Sequence, residues 1–232
     1  MSMMYQHILP FAVPGSSSPV QFVIEHAYCV GFSGRDTAKT LHHIEELVAI
    51  GVPRPEEIPL LFPIAVSLVS QPAGIQVVGC ETSGEIELVL LYGTSLEDSY
   101  LTVGSDHTDR GLETVDIGKS KQICGKPVAS VAWPIAAVRD KWDRMHMVSE
   151  VHIDGEWKCY QDDHASAMLP LKTLLAFLER KGALKQQSVY FLGTVPLVQG
   201  FVYGDAFRTH LSSEVFSEEL MLEYAISDVR KE

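Results

Sequence analysis

Glu85 and Glu87 stand two residues apart in "SGEIELVLLYG", and a second charged group, Asp106, His107, Asp109, Arg110 and Glu113, follows the apolar run of "SYLTVGSDHTDRGLE". In an extended strand residues i and i+2 share a face, so the two glutamates project together while Ile86, Leu88 and Leu90 take the other side. Carboxylates placed side by side repel unless water solvates them or a cation is shared. The second run follows after a short loop, so the two segments are expected to pair as a hairpin that brings Asp106 toward both glutamates. Three convergent carboxylates suit a hard divalent cation, which takes oxygen ligands and keeps positions open for water or substrate. A solvated acidic hairpin is the alternative.

Other groups could complete a site. Arg110, and Lys119 or Lys121 in "IGKSKQ", are cations able to hold a substrate carboxylate, the arginine by a bidentate fork and a lysine as a point charge. In an extended segment the two lysines share a face, and the residues do not choose between them. His43 and Glu46 in "HHIEEL" lie three apart on a predicted helix, on the side away from Ala38, Leu41 and Val48. A carboxylate so placed orients an imidazole and raises its basicity, while a solvated surface pair is the alternative. His42 is the rival base. Asp162, Asp163 and His164 in "WKCYQDDHASAM" read as a polar turn before the next helix.

The elements that must position these groups follow from periodicity. "PVQFVIEHAYCVGF" reads as strand. A helix follows in "SGRDTAKTLHHIEELVAIGVP", with Ser33 and Asp36 as a capping box and Ala38, Leu41, Ile44 and Val48 at helical spacing until Gly51 and Pro53 stop it. "RPEEIPLLFP" is a Pro-rich connection, and "AVSLVS", "IQVVG", "GEIELVLLYG" and "SYLTVG" are short runs spaced as antiparallel strands. A helix is predicted from near Trp133, with Pro134 at its first position and Ile135, Val138, Trp142 and Met145 on one side, and another over "PLKTLLAFLERKG". The chain beyond Ser188 returns to strands and turns. More strand than helix, with no βαβ rhythm, favours an all-β or mainly β, α+β roll over a doubly wound sheet.

Composition excludes several classes of partner. With 232 residues, 46% of them hydrophobic, the chain can bury a sizeable core. A formal charge of −12 lacks the basic footprint that nucleic acid or an anionic membrane requires. Apolar stretches fall well short of the roughly 20 residues of a membrane span, and the start lacks a basic segment and is interrupted by Pro10 and Pro14, which is not the pattern of a signal peptide. Cys29, Cys80, Cys124 and Cys159 show no C-x-x-C spacing, so reduced thiols and a cytoplasmic location are expected.

These motifs resemble the fumarylacetoacetate hydrolase superfamily, and within it the uncharacterised prokaryotic branch described as DUF2848. That superfamily carries Glu-x-Glu on one strand, an Asp with an Arg four residues on, and a lysine in a Gly-Lys-Ser-like turn, matched here by Glu85-Ile86-Glu87, Asp106 with Arg110, and Lys119. "FLGTVPLVQGFVYGDAF" resembles its Gly-Thr-Pro-like substrate loop, which places Gly193 and Thr194 there, and His43 with Glu46 resembles its His-x-x-Glu. The resemblance implies one catalytic domain, with an N-terminal strand, helix and lid-like segment over 1–65 and a mixed β-sandwich roll over 66–232. It further implies Mg²⁺ or Mn²⁺, with Ca²⁺ as an alternative, on Glu85, Glu87 and Asp106. The activity implied is hydrolysis of a C–C bond in a small 2-oxo acid or β-diketone carboxylate through a metal-stabilised enolate, by a homodimer. In this scheme His43, Glu46 and Lys119 are catalytic, Arg110, Glu113, Lys121, Gly193 and Thr194 bind substrate, and His107 packs or hydrogen-bonds. Glu113 departs from the pattern: relatives often carry Gln there, and an acid would repel a carboxylate substrate. Decarboxylase, isomerase or hydratase activity on the same site, or an inactive ligand-binding protein of the same fold, are the alternatives.

Overall fold

β-branched and aromatic residues dominate the runs that become strands, and their alternation decides which face each side chain covers. A computed structural model describes residues 7–49, 54–55 and 57–231, apart from the side chains at positions 43, 46, 47 and 49. Six strands form one sheet in the spatial order Trp133–Pro134, Tyr100–Ser105, Ile86–Tyr92, Ser188–Thr194, His26–Gly31 and Leu60–Ile64. Five form a second, in the order Glu156–His164, His146–Ile153, Ala206–Ser212, Leu220–Asp228 and Gly74–Val77. Parallel pairs occur at Ser188–Phe191 with His26–Cys29 and at Ala225–Asp228 with Gly74–Val77, within otherwise antiparallel sheets. The fold is the expected α+β roll.

Ile86–Tyr92 is the organising strand. Ile86, Leu88 and Leu90 join Leu101 and Val103 in a core shared with Met147, Phe207, Leu211 and Tyr224 of the second sheet. Val89 and Leu91 face the other way, into a cluster with Val189 and Phe191 that Leu9, Phe11, Phe22 and Ile24 of the hairpin His7–Phe11/Val20–Ile24 cover. Both faces are therefore buried, which is why the strand reads as a nearly unbroken apolar run. By the same alternation Glu87 falls on the Val89 and Leu91 face, at the end of the strand where apolar cover gives out.

Several elements differ from the sequence expectation. Within the first 65 residues, His26–Gly31 and Leu60–Ile64 are strands of the six-stranded sheet. "PVQFVIEHAYCVGF" divides at Glu25, whose N–H is taken by the Gln187 carbonyl at 2.8 Å as the chain passes from hairpin to sheet. "AVSLVS" spends Val66–Leu68 in a 3₁₀ turn. The helix Thr37–Ala49 forms, yet Ser33 does not cap it: the Asp36 carboxylate accepts from the N–H groups of Ala38 and Lys39 at 3.0 and 3.1 Å. Its expected stripe also breaks, since Leu41 is 43% exposed and Ile44 only 2%. Gly51 and Pro53 lie outside the described residues. Trp133–Pro134 pairs as strand with Tyr100–Leu101, so the helix near it shrinks to Ile135–Val138 followed by a 3₁₀ segment; the Trp133 ring, stacked on Phe216 with centroids 5.1 Å apart, is held as core rather than helix face. Asp162, Asp163 and His164 end a strand rather than form a turn, paired with His146–Val148. The helix Leu171–Arg180 forms after Pro170 as expected.

Replacing Leu88, fully buried between the sheets, by alanine is expected to cost about 2–5 kcal/mol, whereas Leu41→Ala changes stability by no more than about 0.5 kcal/mol; urea unfolding of the two variants checks both.

Candidate functional site

The hairpin Ile86–Tyr92/Tyr100–Ser105 pairs Ile86 with Ser105 and Glu87 with Gly104, so Asp106 emerges one residue beyond the ladder, its N–H on the Glu85 carbonyl at 3.1 Å. On the other side Thr194 pairs with Glu87, after a bulge between Phe191 and Thr194. Oxygen atoms of Glu85, Glu87 and Asp106 consequently lie within 4.8 Å of one another. Asp106 and Glu87 are buried, and Glu85 is 17% exposed in its side chain. Such a cluster of hard oxygen donors fits a divalent cation of the Mg²⁺, Mn²⁺ or Ca²⁺ type.

Backbone and cations hold the carboxylates in place. Gly193 donates its N–H to Glu87 Oε2 at 2.7 Å from a φ of +115°, a conformation glycine adopts freely, and a Cβ there would meet Ser33 Oγ at 1.7 Å. Lys121 Nζ reaches Asp106 Oδ2 at 2.5 Å, and Lys126 Nζ lies 3.4 Å from Asp106 Oδ1 while donating to the carbonyls of His107, Lys121 and Cys124. Arg110 donates Nε to Ser83 Oγ at 2.8 Å and Nη1 to Glu113 Oε2 at 2.9 Å, with Nη2 3.4 Å from Glu85 Oε1. Behind them His107 places its ring nitrogens 2.9 Å from the Tyr224 hydroxyl and 2.9 Å from Thr82 Oγ1.

The resulting electrostatics are uneven. Burial raises the pKa of Glu87 well above the carboxylate range, with the Asp106 charge adding to it, and burial raises Glu85 despite Arg110. Burial would raise Asp106 too, but the ammoniums of Lys121 and Lys126 hold it below its ordinary value. Lys121 is raised: burial opposes its charge and the Asp106 carboxylate more than restores it. His107 is pushed down to about 3, first by burial and then by Lys126 and Arg110, so its imidazole is neutral.

A cavity of about 920 Å³ opens over this cluster. Glu85, Glu87, Arg110, Glu113, Lys121, Gly193 and Thr194 all line it, so the structure brings together most residues singled out from sequence, with Asp106 directly behind. The Thr194 hydroxyl is already used by the scaffold, donating to the Ile86 carbonyl and accepting from Gln161 Nε2. Lys119 is not among them. Residues 117–122 form a helix rather than an extended segment, so two positions apart means opposite sides: Lys121 is buried toward Asp106, while the Lys119 side chain is 77% exposed and paired with Asp116. The side chains of His43 and Glu46 lie outside the described set. Asp36, Lys39 and Thr40 of the same helical segment line the cavity. Lys126 is a site residue that the sequence reading missed; its one signal was a Gly-Lys-Pro step leading into a mostly apolar run.

Similarity to solved structures agrees with this architecture. A fumarylpyruvate hydrolase from Pseudomonas aeruginosa in complex with Mn²⁺ and pyruvate is 19% identical, with a TM-score of 0.61 over 95% of this chain and 96% of that one. A 2-keto-3-deoxy-D-arabinonate dehydratase complexed with magnesium and 2,5-dioxopentanoate is 13% identical, TM-score 0.61, over 92% and 77%. The 4-oxalocrotonate decarboxylase from Pseudomonas putida G7, complexed with calcium and acetate, is 13% identical, TM-score 0.53, over 86% and 76%. Identities this low establish a shared fold. Among curated proteins no sequence matches the chain. Residues 30–224 match the family described as protein of unknown function (DUF2848), and the chain, built on the fumarylacetoacetate hydrolase fold, belongs to that family.

Proposed function

We propose that the protein is a metal-dependent enzyme that cleaves a C–C bond in a 2-oxo acid or β-diketone carboxylate by hydrolysis. One observation carries the reading: three carboxylates converge within 4.8 Å at the wall of a cavity that also presents Arg110 and Lys121. When bound, a divalent cation supplies a Lewis acid for the carbonyl and carboxylate oxygens of such a substrate. Mg²⁺ or Mn²⁺ on Glu85, Glu87 and Asp106 is supported by the oxygen-only donor set and by the ions named with the fold's neighbours.

The chain's own groups supply the rest. Gly193 N–H and the cations beside Asp106 fix the carboxylates before any substrate arrives, so little reorganisation is needed as charge develops. Lys121, held in its ammonium form, places positive charge at the cavity wall where negative charge builds up on the substrate. His43 oriented by Glu46 is the proposed base for water, a role that rests on the His-x-x-Glu spacing in the sequence. A second reading is decarboxylation, isomerisation or dehydration of a 2-oxo acid, supported by the dehydratase and the decarboxylase that share this fold. Assays of acylpyruvates and simple 2-oxo acids with and without Mn²⁺ separate the two: pyruvate release from an acylpyruvate that His43→Ala lowers by about 10²-fold or more supports hydrolysis, and turnover indifferent to chelation refutes both.

Glu87 makes a further expectation concrete. Its pKa is raised on folding, so its ionised form costs stability above the unfolded value, and that cost disappears as pH falls below it. Glu87→Gln is therefore expected to raise the melting temperature of metal-free protein by roughly 2–4 °C at pH 7.5, for a gain of about 1 kcal/mol, and by less at pH 5. The same variant loses the upward shift that Mn²⁺ gives the wild type; differential scanning calorimetry reads both effects.

Because Glu87 must give up its proton to ligate, Mn²⁺ affinity is expected to weaken as pH falls, by about tenfold per unit while Glu87 is protonated. Calorimetric titration in buffers of different ionisation enthalpy checks the released proton.

A further inference from the structure

We infer that the cavity selects a 2-oxo acid bearing one carboxylate and a bulky uncharged tail, and that Glu113 sets this preference by occupying Arg110. The inference rests on the metal-dependent reading above and deepens it. An arginine offered to a substrate carboxylate needs a free edge of its fork. Arg110 has none to spare: Nε is on Ser83 Oγ, Nη1 on Glu113 at 2.9 Å, and Nη2 between Glu85 Oε1 and the Ser83 carbonyl, both at 3.4 Å. Phe201 covers the guanidinium face, with Cζ 4.5 Å from the ring centroid. The Arg110 side chain is 4% exposed.

Two other cations of the cavity wall are paired as well. Lys121 is bound to Asp106, and Arg35 donates to both carboxylate oxygens of Asp143. Lys39 stands exposed on the cavity wall, where water screens a charge pair to little value. Around the candidate ligands, Glu85, Glu87, Asp106 and Glu113, once all four are ionised as metal binding requires, carry one negative charge more than Arg110, Lys121 and Lys126 offset. A bound dication turns that into one positive charge, which a single substrate carboxylate cancels. A second carboxylate would enter uncompensated and beside Glu113, and an unpaired buried charge is strongly unfavourable.

Beyond the metal end the cavity wall is largely apolar, with polar groups such as Arg35, Asp36, Lys39 and Asp163 among the rest of its lining. Phe62, Ile117, Leu197 and Phe201 contribute to its wall, and about 920 Å³ is the size that takes a drug-sized ligand rather than a three-carbon acid. An uncharged tail, aromatic or branched, fills this space without asking for a cation.

Calorimetric titration of Mn²⁺-loaded protein with oxalate, 2-oxoglutarate and 2-oxo-4-phenylbutanoate tests the inference. Wild type is expected to bind the phenyl acid at least about tenfold more tightly than 2-oxoglutarate, Glu113→Gln to tighten 2-oxoglutarate by about tenfold, and Glu113→Asp to keep the wild-type order, about 1.4 kcal/mol being at stake in each tenfold step. Wild-type protein that binds 2-oxoglutarate as tightly as the phenyl acid overturns the inference whether or not the variants fold. A ratio unmoved by Glu113→Gln overturns the role of Glu113. Oxalate reports on the metal end alone: if it binds while the preference is absent, only this inference falls, and if neither oxalate nor either 2-oxo acid binds, the metal-dependent reading falls and takes the inference with it.

Discussion

Mutual repulsion among carboxylates held within 4.8 Å in a largely dry corner is the constraint around which the site is arranged. Left alone, such a cluster would protonate or come apart, since a buried charge without a partner is far costlier than one in water. The chain answers with unequal compensation. Asp106 receives two ammoniums and stays ionised, while Glu87 receives one backbone N–H and carries a raised pKa. What remains is a candidate site for a cation, held in the fold at some expense of stability, as functional sites often are.

Rigidity comes from the neighbours of the acidic strand. Gln161, from the five-stranded sheet, accepts from the Ile86 N–H and from Ser149 Oγ, and donates to Thr194 Oγ1 and to the Val195 carbonyl. One amide thus clamps the strand bearing Glu87, the end of the strand bearing Gly193 and the second sheet together. Below, Tyr224 joins His107 and Ser105, and its hydroxyl proton is held firmly, chiefly by burial. The carboxylates are positioned by strands whose opposite faces are packed core, so a shift of one residue in register would carry them into an apolar cluster.

The acidic trio was legible in the sequence because a strand has a period of two: Glu-x-Glu beside an alternating apolar set fixes a shared face, and a short hairpin loop fixes where Asp106 arrives. The family resemblance drawn from those residues holds at the level of family and fold. Lys121 was not separable from Lys119, since the distinction depends on a six-residue helix capped by Asp116, and that short element has too few residues to show a periodicity. Lys126 escaped notice because a lysine before an apolar run reads as a loop residue, whereas three carbonyls and Asp106 surround its ammonium. The helix stripe misled at Leu41 because, among the described side chains of Thr37–Ala49, the buried one is Ile44, and Trp133 misled because Pro at a first helical position and Pro in an edge strand look alike until the partner strand is known.

Anomalous diffraction at the manganese edge, from crystals grown with millimolar Mn²⁺ and oxalate, tests the central claim most directly. A single strong peak is expected, with oxygens of Glu85, Glu87 and Asp106 at coordination distance and the oxalate chelated on the cavity side. A peak bound elsewhere, or no peak while the three carboxylates keep only their lysine, arginine and backbone partners, would contradict it.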